Sequence, residues 1–318
     1  MKTYPKDQYF YSNGKLMITG EYLVLMGAEA FALPLNKGQD LKVVWNSGQN
    51  CLMWNTLVEN MPWFEACFSL PDLVIANTND FPIAQNVREI LLAARTLNPE
   101  FLQNHGRCDI TCKINFNISW GLGSSSSLIS NVAKWAAVDP FALHFKISKG
   151  SGYDVAAAIS DSPIIYKLED NRPEFHKIPF NPAFKDHIFF GYLGKKRNSS
   201  EAIANFMGRE SEISGAIEEI TAISRKIVKA ADIIEFVSLL KKHDKILASI
   251  LKEKPIAKSR FRDFNGYVKS LGAWGGDFAL FFSDYPREYL LPYFKKKEIK
   301  HWFAYEDIVK SEKSGQYV

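Results

Sequence analysis

The stretch Trp120-Gly121-Leu122-Gly123-Ser124-Ser125-Ser126-Ser127 decides how we interpret this sequence. The residues before it, from Cys108 to Ile118, alternate apolar and polar side chains, and this period of two predicts a strand with one buried face. The residues after it, from Leu128 to Ala137, carry apolar side chains at helical spacing. A strand, two glycines, four hydroxyls and a helix N-terminus form a candidate anion-binding loop, because free backbone N–H groups and the helix dipole both favour negative charge.

The same serines have a simpler interpretation, in which they only cap the helix that follows. Serine is among the preferred N-cap residues, and one serine is enough to form a cap. Four consecutive serines after Gly-x-Gly exceed that requirement. The loop by itself therefore leaves phosphate binding and simple capping about equally open.

Length and composition are those of an ordinary globular chain. The sequence has 318 residues, of which 47% are hydrophobic and 23% charged, and its formal net charge is +4 at pH 7. This length predicts about two domains, which we place at residues 1–165 and 166–318. The mild, dispersed positive charge suits a small anionic ligand and does not indicate nucleic-acid binding.

Neither the N-terminus nor the cysteines indicate export or membrane insertion. The first residues lack the apolar core of a signal peptide, and no apolar run approaches the ~20 residues that span a bilayer. Of the four cysteines, Cys108 and Cys112 fall on the inward face of the predicted strand, so we expect them in the core. We therefore expect a soluble cytoplasmic protein, monomeric or homodimeric, that binds neither membranes nor nucleic acid.

The remaining patterns predict a mixture of strands and helices. Short apolar runs separated by Gly, Pro and Asn predict several strands of a mixed or antiparallel sheet between residues 27 and 75. Apolar spacing predicts helices at residues 83–97, 140–149 and 201–251. Predicted strands follow at residues 164–168 and 188–193. The segment 268–282 predicts a helix joined by a glycine-rich turn to an apolar strand.

A candidate cation lies near the N-terminus. Lys15 follows the turn Asn13-Gly14, but Tyr9 and Leu16 stand where a Walker loop needs a glycine and a hydroxyl residue. Lys15 is therefore either a surface lysine at the start of a strand or a phosphate ligand in a different architecture.

Two further segments carry candidate functional groups. Asp154 follows the glycine-flanked bend Gly150-Ser151-Gly152 and precedes a run of alanines, where it is either a helix cap or a proton acceptor. The glycine-rich segment Gly272-Ala273-Trp274-Gly275-Gly276-Asp277 either covers a phosphate or only turns a corner.

Together, these segments resemble the motifs of the GHMP small-molecule kinases, named after galactokinase and the homoserine, mevalonate and phosphomevalonate kinases. The first motif corresponds to residues 14–25, the second to Gly121–Ser126, and the third to Gly272–Asp277. Their order and spacing cover most of the chain. The bend that ends at Asp154 and the pair Glu21-Tyr22 most resemble phosphomevalonate kinase, with mevalonate kinase the other near relative.

The resemblance implies a two-domain α+β fold with the active site in the cleft between the domains, and transfer of the γ-phosphoryl group of ATP to a small alcohol or phosphate. Gly121–Ser126 would hold the ATP phosphates, and Ser125 is the candidate Mg²⁺ ligand. Asp154 would orient or deprotonate the acceptor, and Lys15 would neutralise charge and tune Asp154. The residues that the resemblance assigns to the acceptor or to its support are Glu21, Tyr22, Lys195, Arg197, Ser200, Gly275, Gly276 and Asp277.

Two departures from the family pattern keep alternatives open. Many members carry a Glu shortly before the Asp as a further Mg²⁺ ligand, whereas this chain has Leu143-His144-Phe145, and Trp274 replaces a glycine of the third motif. Magnesium would then be held by fewer protein ligands or by Asp154 itself. Three hypotheses follow: a kinase of phosphomevalonate or mevalonate, a kinase of a sugar or amino alcohol, and an inactive relative that binds or regulates.

Overall fold

The chain forms two compact units whose segments interleave along the sequence. The computed structural model describes residues 6–103, 106–194, 210–272, 276–285 and 287–310, without the side chains of 210–212 and 214. The first unit consists of Met1–Gly14, Lys37–Ile118 and Leu122–Ile159. The second consists of Lys15–Asn36, Ser119–Gly121 and Ser160–Val318. The predicted division between residues 165 and 166 stays a prediction.

A mixed sheet organises the first unit. Its strands are β1 (Gln8–Thr19), β2 (Ala30–Asn46), β3 (Cys51–Val58), β4 (Met61–Ser69), β5 (Ile75–Thr78) and β6 (Arg107–Ile114). Residues 15–19 of β1 and 30–36 of β2 belong to the second unit. The order is β5-β4-β3-β6-β2, and β1 pairs with β2. β3 and β6 run parallel, and the other pairs whose register is defined here are antiparallel. The sheet predicted between residues 27 and 75 is therefore confirmed as a mixed one.

The helices of this unit are α1 (Phe81–Leu97), α2 (Ser124–Ala136), α3 (Pro140–Ile147) and α4 (Tyr153–Ile159), of which α4 packs against α2 and α3. The first and third begin where an aspartate caps the helix and a proline follows in the first turn, because Asp80 accepts from Ile83 N–H and Asp139 from Ala142 N–H. Apolar side chains of α1, α2, α3 and the sheet form one buried core, which contains Cys108 and Cys112 as predicted.

The predicted strand before the glycine loop ends early. β6 keeps the expected alternation of buried and outward residues up to Ile114 but does not continue to Ile118. The reason lies at Asn115, whose side-chain oxygen accepts a hydrogen bond from the Gly38 backbone N–H at 2.7 Å. The chain then makes a short 3₁₀ turn at Ile118–Trp120.

The second unit contains two sets of strands. β7 (Ile164–Glu169) pairs with the start of β2 and forms a hairpin with β8 (Arg172–Lys177). An antiparallel sheet of β9 (Ile188–Tyr192), β10 (Tyr267–Leu271), β11 (Phe278–Phe282) and β12 (Trp302–Ala304) has the order β10-β11-β9-β12. The mostly polar Arg-Pro-Glu-Phe-His-Lys of β8 lacks the apolar alternation that would have predicted a strand.

The described helices of this unit are α5 (Glu210–Ile227), α6 (Ile233–Leu251), α7 (Arg287–Lys296) and the short α8 (Tyr305–Ile308). The prediction of a helix before the glycine-rich turn was wrong, since residues 267–271 form β10 and pair with β11. Five residues between turns are too short to establish a helical period, and pairing with the apolar β11 decides the conformation. Among the described residues, no helix is long and apolar enough to cross a membrane.

Candidate active site

The glycine loop leads directly into the N-terminus of α2. Gly123 is the N-cap residue, with a φ of 93°, and no side chain caps the helix. The interpretation in which a serine caps this helix is therefore wrong. An oxygen of a bound phosphate would satisfy the N–H groups of the first turn.

The consecutive serines divide into two structural kinds. Ser126 and Ser127 are buried, and their hydroxyls donate to Gly123 O and to Gln39 Oε1, both at 2.9 Å. Ser124 is half-buried and Ser125 exposed, and within the described part of the chain neither hydroxyl makes a hydrogen bond. Ser125 is therefore available to a metal ion or phosphate, whereas Ser126 can offer only its backbone.

Parts of all three motifs meet around Gly121 within the second unit. The half-buried Lys15 donates a hydrogen bond from Nζ to Gly121 O at 3.1 Å, so it is not an isolated surface lysine. Gly121 has a φ of 68°, and a Cβ atom there would collide with the carboxylate of Asp277. Only glycine allows this approach, because it combines a left-handed backbone with no side chain.

Asp154 lies in the first turn of α4, which packs against α2 within the first unit. Its side chain is half-buried, and Oδ1 accepts from Val155 N–H at 3.0 Å. The carboxylate therefore engages the start of its own helix, and a role as proton acceptor stays a prediction.

The bend before Asp154 contains a buried histidine. His144 Nε2 lies 3.2 Å from Gly150 O, and a carbonyl oxygen can only accept, so Nε2 carries the proton. The side chain is 4% exposed, and Nδ1 has no hydrogen-bond partner within the described part of the chain. His144 thus ties α3 to the bend from which Asp154 emerges.

Glu21 lies in a buried cluster of charged and polar residues, which we call the Glu21 cluster and which consists of Glu21, His243, Asp244, Tyr267 and Lys269. Glu21 Oε1 lies 2.5 Å from Lys269 Nζ, and Oε2 lies 2.9 Å from His243 Nε2. Burial by itself would raise the pKa of Glu21, but the Lys269 ammonium and then His243 outweigh burial and hold it below its ordinary value.

Tyr22 occupies a strained backbone conformation. Its φ is 64° and its ψ is −50°, and Leu23 N–H donates to Glu21 O at 2.7 Å, which closes a γ-turn around Tyr22. This γ-turn, with positive φ, is the rarer and more strained of the two forms. Such outliers cost on the order of 1–3 kcal/mol each and concentrate at functional sites.

The chain is similar to known proteins in structure and not in sequence. No protein-family model and no curated protein sequence matches the chain. Solved structures do match: L. major mevalonate kinase in complex with R-mevalonate superposes with a TM-score of 0.68 at 16% identity, covering 96% of each chain. Streptococcus pneumoniae phosphomevalonate kinase in complex with phosphomevalonate and AMPPNP gives 0.68 at 14% identity, covering 93% of this chain and 99% of that one.

Lactococcus lactis galactokinase complexed with galactose gives a TM-score of 0.65 at 13% identity, over 96% of this chain and 93% of that one. This chain has the GHMP kinase fold. The α+β fold that the three motifs predicted is therefore confirmed. At these identities the likeness concerns the fold alone, and the roles of individual residues rest on the geometry above.

Several predicted acceptor residues of the GHMP fold lie outside the described residues, namely Lys195, Arg197, Ser200 and Gly275, and so does Trp274. Of the third motif, Gly276 is buried and Asp277 half-buried. Neither Lys269 nor His243 is predicted from the sequence. One signal was present, because Lys269 interrupts a run of strand residues that are otherwise apolar or small, and a lysine is rarely fully buried unless it is paired.

Proposed function

We propose that this protein is an ATP-dependent small-molecule kinase that phosphorylates phosphomevalonate or mevalonate. The observation that carries the proposal is the contact between Lys15 and Gly121, with Asp277 on the other side of the same glycine. It joins a cation, the anion-binding loop and the third motif, in agreement with a GHMP kinase fold. Phosphoryl transfer depends mainly on positioning and charge neutralisation, which is what such a set of groups supplies.

The residues around the loop fit a nucleotide triphosphate with Mg²⁺. The uncapped N-terminus of α2 offers backbone N–H donors, and Ser125 offers an exposed hydroxyl, a hard oxygen ligand of the kind Mg²⁺ accepts. Ser125 would hold the metal, with Asp154 as a second candidate. When bound, Mg²⁺ neutralises charge on the phosphates as the γ-phosphoryl group is transferred.

The acceptor step assigns separate tasks to this chain's residues. The acceptor oxygen forms a bond to the γ-phosphorus while the bond from that phosphorus to the β–γ bridging oxygen breaks. Asp154 would orient the acceptor group and, for an alcohol, take its proton. Lys15 would add positive charge next to the loop that holds the donor.

The choice of acceptor rests on sequence motifs. Glu21-Tyr22 and the bend ending at Asp154 follow the phosphomevalonate kinase pattern, and mevalonate and phosphomevalonate kinases are among the solved structures of similar fold. A coupled assay of ADP release, run with mevalonate and with phosphomevalonate in turn, shows which acceptor is phosphorylated. The two acceptors differ in charge because one carries a phosphate. We also propose that the protein acts in the cytoplasm, as a monomer or homodimer, without membrane or nucleic-acid partners.

A second candidate is a kinase of a sugar or amino alcohol, which the fold likeness to a galactokinase supports. A third is an inactive relative, suggested by Leu143-His144-Phe145 in place of a further carboxylate. Including galactose and homoserine in the same assay tests the second candidate. Magnesium-dependent ATP binding without phosphorylation of any acceptor would favour the third and contradict our proposal.

A further inference from the structure

The carboxylate of Glu21 is enclosed in the protein interior. Its side chain is 4% exposed, with one oxygen on Lys269 and the other beside His243. Oε2 has no hydrogen-bond partner within the described residues, but both oxygens are buried, so the carboxylate is closed to an external ligand. Its effect on the neighbouring chain must therefore pass through the backbone at residues 20–23.

The two side chains beside the Glu21 carboxylate come from distant elements. Lys269 lies in β10, three residues before the third motif begins at Gly272, and is 0% exposed. His243 lies in α6 and is equally buried. Since a charge left alone in the interior is strongly destabilising, each partner depends on the others.

The cluster continues beyond these three residues. Lys269 Nζ lies 3.6 Å from Asp244 Oδ1, and His243 Nδ1 lies 3.4 Å from the same oxygen. Tyr267 completes the cluster by donating from its hydroxyl to Asp244 Oδ2 at 2.7 Å. The ammonium is thus fixed between two carboxylates and cannot move without breaking both pairs.

The same imidazole also fixes the backbone before Glu21. Gly20 N–H donates to His243 Nε2 at 3.1 Å, and Val24 N–H donates to Gly20 O at 3.0 Å. The residues on both sides of Tyr22 are therefore anchored. This explains how an aromatic residue stays in a γ-turn that an isolated chain would leave, since strain of this kind persists only where its surroundings enforce it.

We propose that Lys269 is a positioning residue that, through Glu21, holds Tyr22 in its γ-turn and thereby sets the affinity for the acceptor. The inference rests on the proposed function, in which Tyr22 borders the acceptor. It assigns Glu21 and Lys269 no contact with the acceptor itself. It also links the first motif to the strand that leads into the third, so both motifs depend on one buried ion pair.

The test compares Lys269→Met with a matched control. Arg225→Met removes a different ion pair, in which Arg225 Nη2 lies 2.5 Å from Glu29 Oε1. Glu29 lies on the same connection between β1 and β2 as Glu21. Steady-state assays give the KM of acceptor and ATP separately for each variant. We expect Lys269→Met to raise the acceptor KM about tenfold or more with the ATP KM unchanged, and Arg225→Met to change neither.

A second variant keeps the proposal testable if Lys269→Met does not fold. Glu21→Gln combined with Lys269→Met leaves only Asp244 of the two carboxylates, and Tyr267 still donates to it, so the double variant should fold where the single variant fails. It still lacks the ion pair, and we expect the same rise in acceptor KM. An unchanged acceptor KM in a folded variant, or equal rises for both substrates, would overturn the proposal.

Hydrogen exchange separates this inference from the proposed function. The Leu23 amide closes the γ-turn, so Lys269→Met or the double variant should accelerate its exchange, and Arg225→Met should not. If the wild type phosphorylates no acceptor, the proposed function fails and the claim about affinity fails with it. Unchanged exchange at Leu23 in an active enzyme would overturn the positioning role alone.

Discussion

Lys15 Nζ donates a hydrogen bond to the carbonyl oxygen of Gly121 at 3.1 Å, across 106 positions of sequence. The contact fixes a cation against the first glycine of the anion-binding loop. Because Asp277 approaches the same glycine, the position has no room for a side chain.

Gly121→Ala is expected to abolish ATP binding, because the added methyl group must displace Asp277 and also adopt a left-handed backbone. Gly215→Ala is the matched control, since that glycine lies in α5 with open space around it. Calorimetric titration with an ATP analogue measures both variants. Wild-type affinity in Gly121→Ala would contradict the close packing around this glycine.

The neighbouring serines should separate function from stability. Ser125→Ala removes an exposed hydroxyl, so we expect a higher Mg²⁺ concentration for half-maximal turnover and an unchanged melting temperature. Ser126→Ala removes a buried hydrogen bond to Gly123 O, and we expect a loss of about 1 kcal/mol in the free energy of unfolding. Thermal melts and Mg²⁺ titrations of both variants test these expectations. Equal melting temperatures and equal Mg²⁺ requirements in the two variants would contradict the separate roles of Ser125 and Ser126.

Sequence patterns predicted the parts of this fold that depend on local chemistry. The glycine loop, α2 and the alternation in β6 follow from residue type and spacing, and apolar spacing also predicted α1 and α3. The Glu21 cluster could not be predicted in this way. Its members lie at 21, 243–244 and 267–269, and nothing local to Lys269 shows which carboxylate it meets.

The mistaken prediction at residues 268–271 has the same origin. Four residues before a glycine-rich turn fit a helix end and a strand about equally well, and pairing of Val268 with Phe281 across the sheet decides between them. Burial patterns within single elements are thus accessible from sequence, whereas contacts across elements are not.

The pH dependence of stability should reflect Glu21. Its pKa in the folded protein lies below its ordinary value of 4.5, so the unfolded chain binds this proton more readily than the folded one. The stabilisation is therefore complete above the ordinary pKa and is lost as pH falls toward the folded one. The free energy of unfolding, measured in urea between pH 6 and 3, should fall less steeply with falling pH in Glu21→Gln than in the wild type. An equal pH dependence in the two proteins would contradict the lowered pKa of Glu21.

The cysteines should fall into two classes of reactivity. Burial raises the pKa of Cys112 to about 12 and also raises that of Cys108, so neither forms a reactive thiolate at pH 8. Cys51 and Cys67 are half-buried. A thiol titration of the native protein should detect these two at most, against all four in denaturant. Rapid reaction of a third thiol in the native state would contradict the burial of Cys108 and Cys112 in the core.

The most direct test of the proposed kinase activity is transfer of labelled γ-phosphate from ATP to mevalonate or phosphomevalonate by the wild type and by Asp154→Asn. Lys15→Met serves as a second variant, because its hydrogen bond to Gly121 is the observation that carries the proposal. We predict that label enters one of these acceptors and that Asp154→Asn slows transfer by about 10²- to 10⁴-fold. Absence of transfer to either acceptor, or an unchanged rate in Asp154→Asn, would contradict the account.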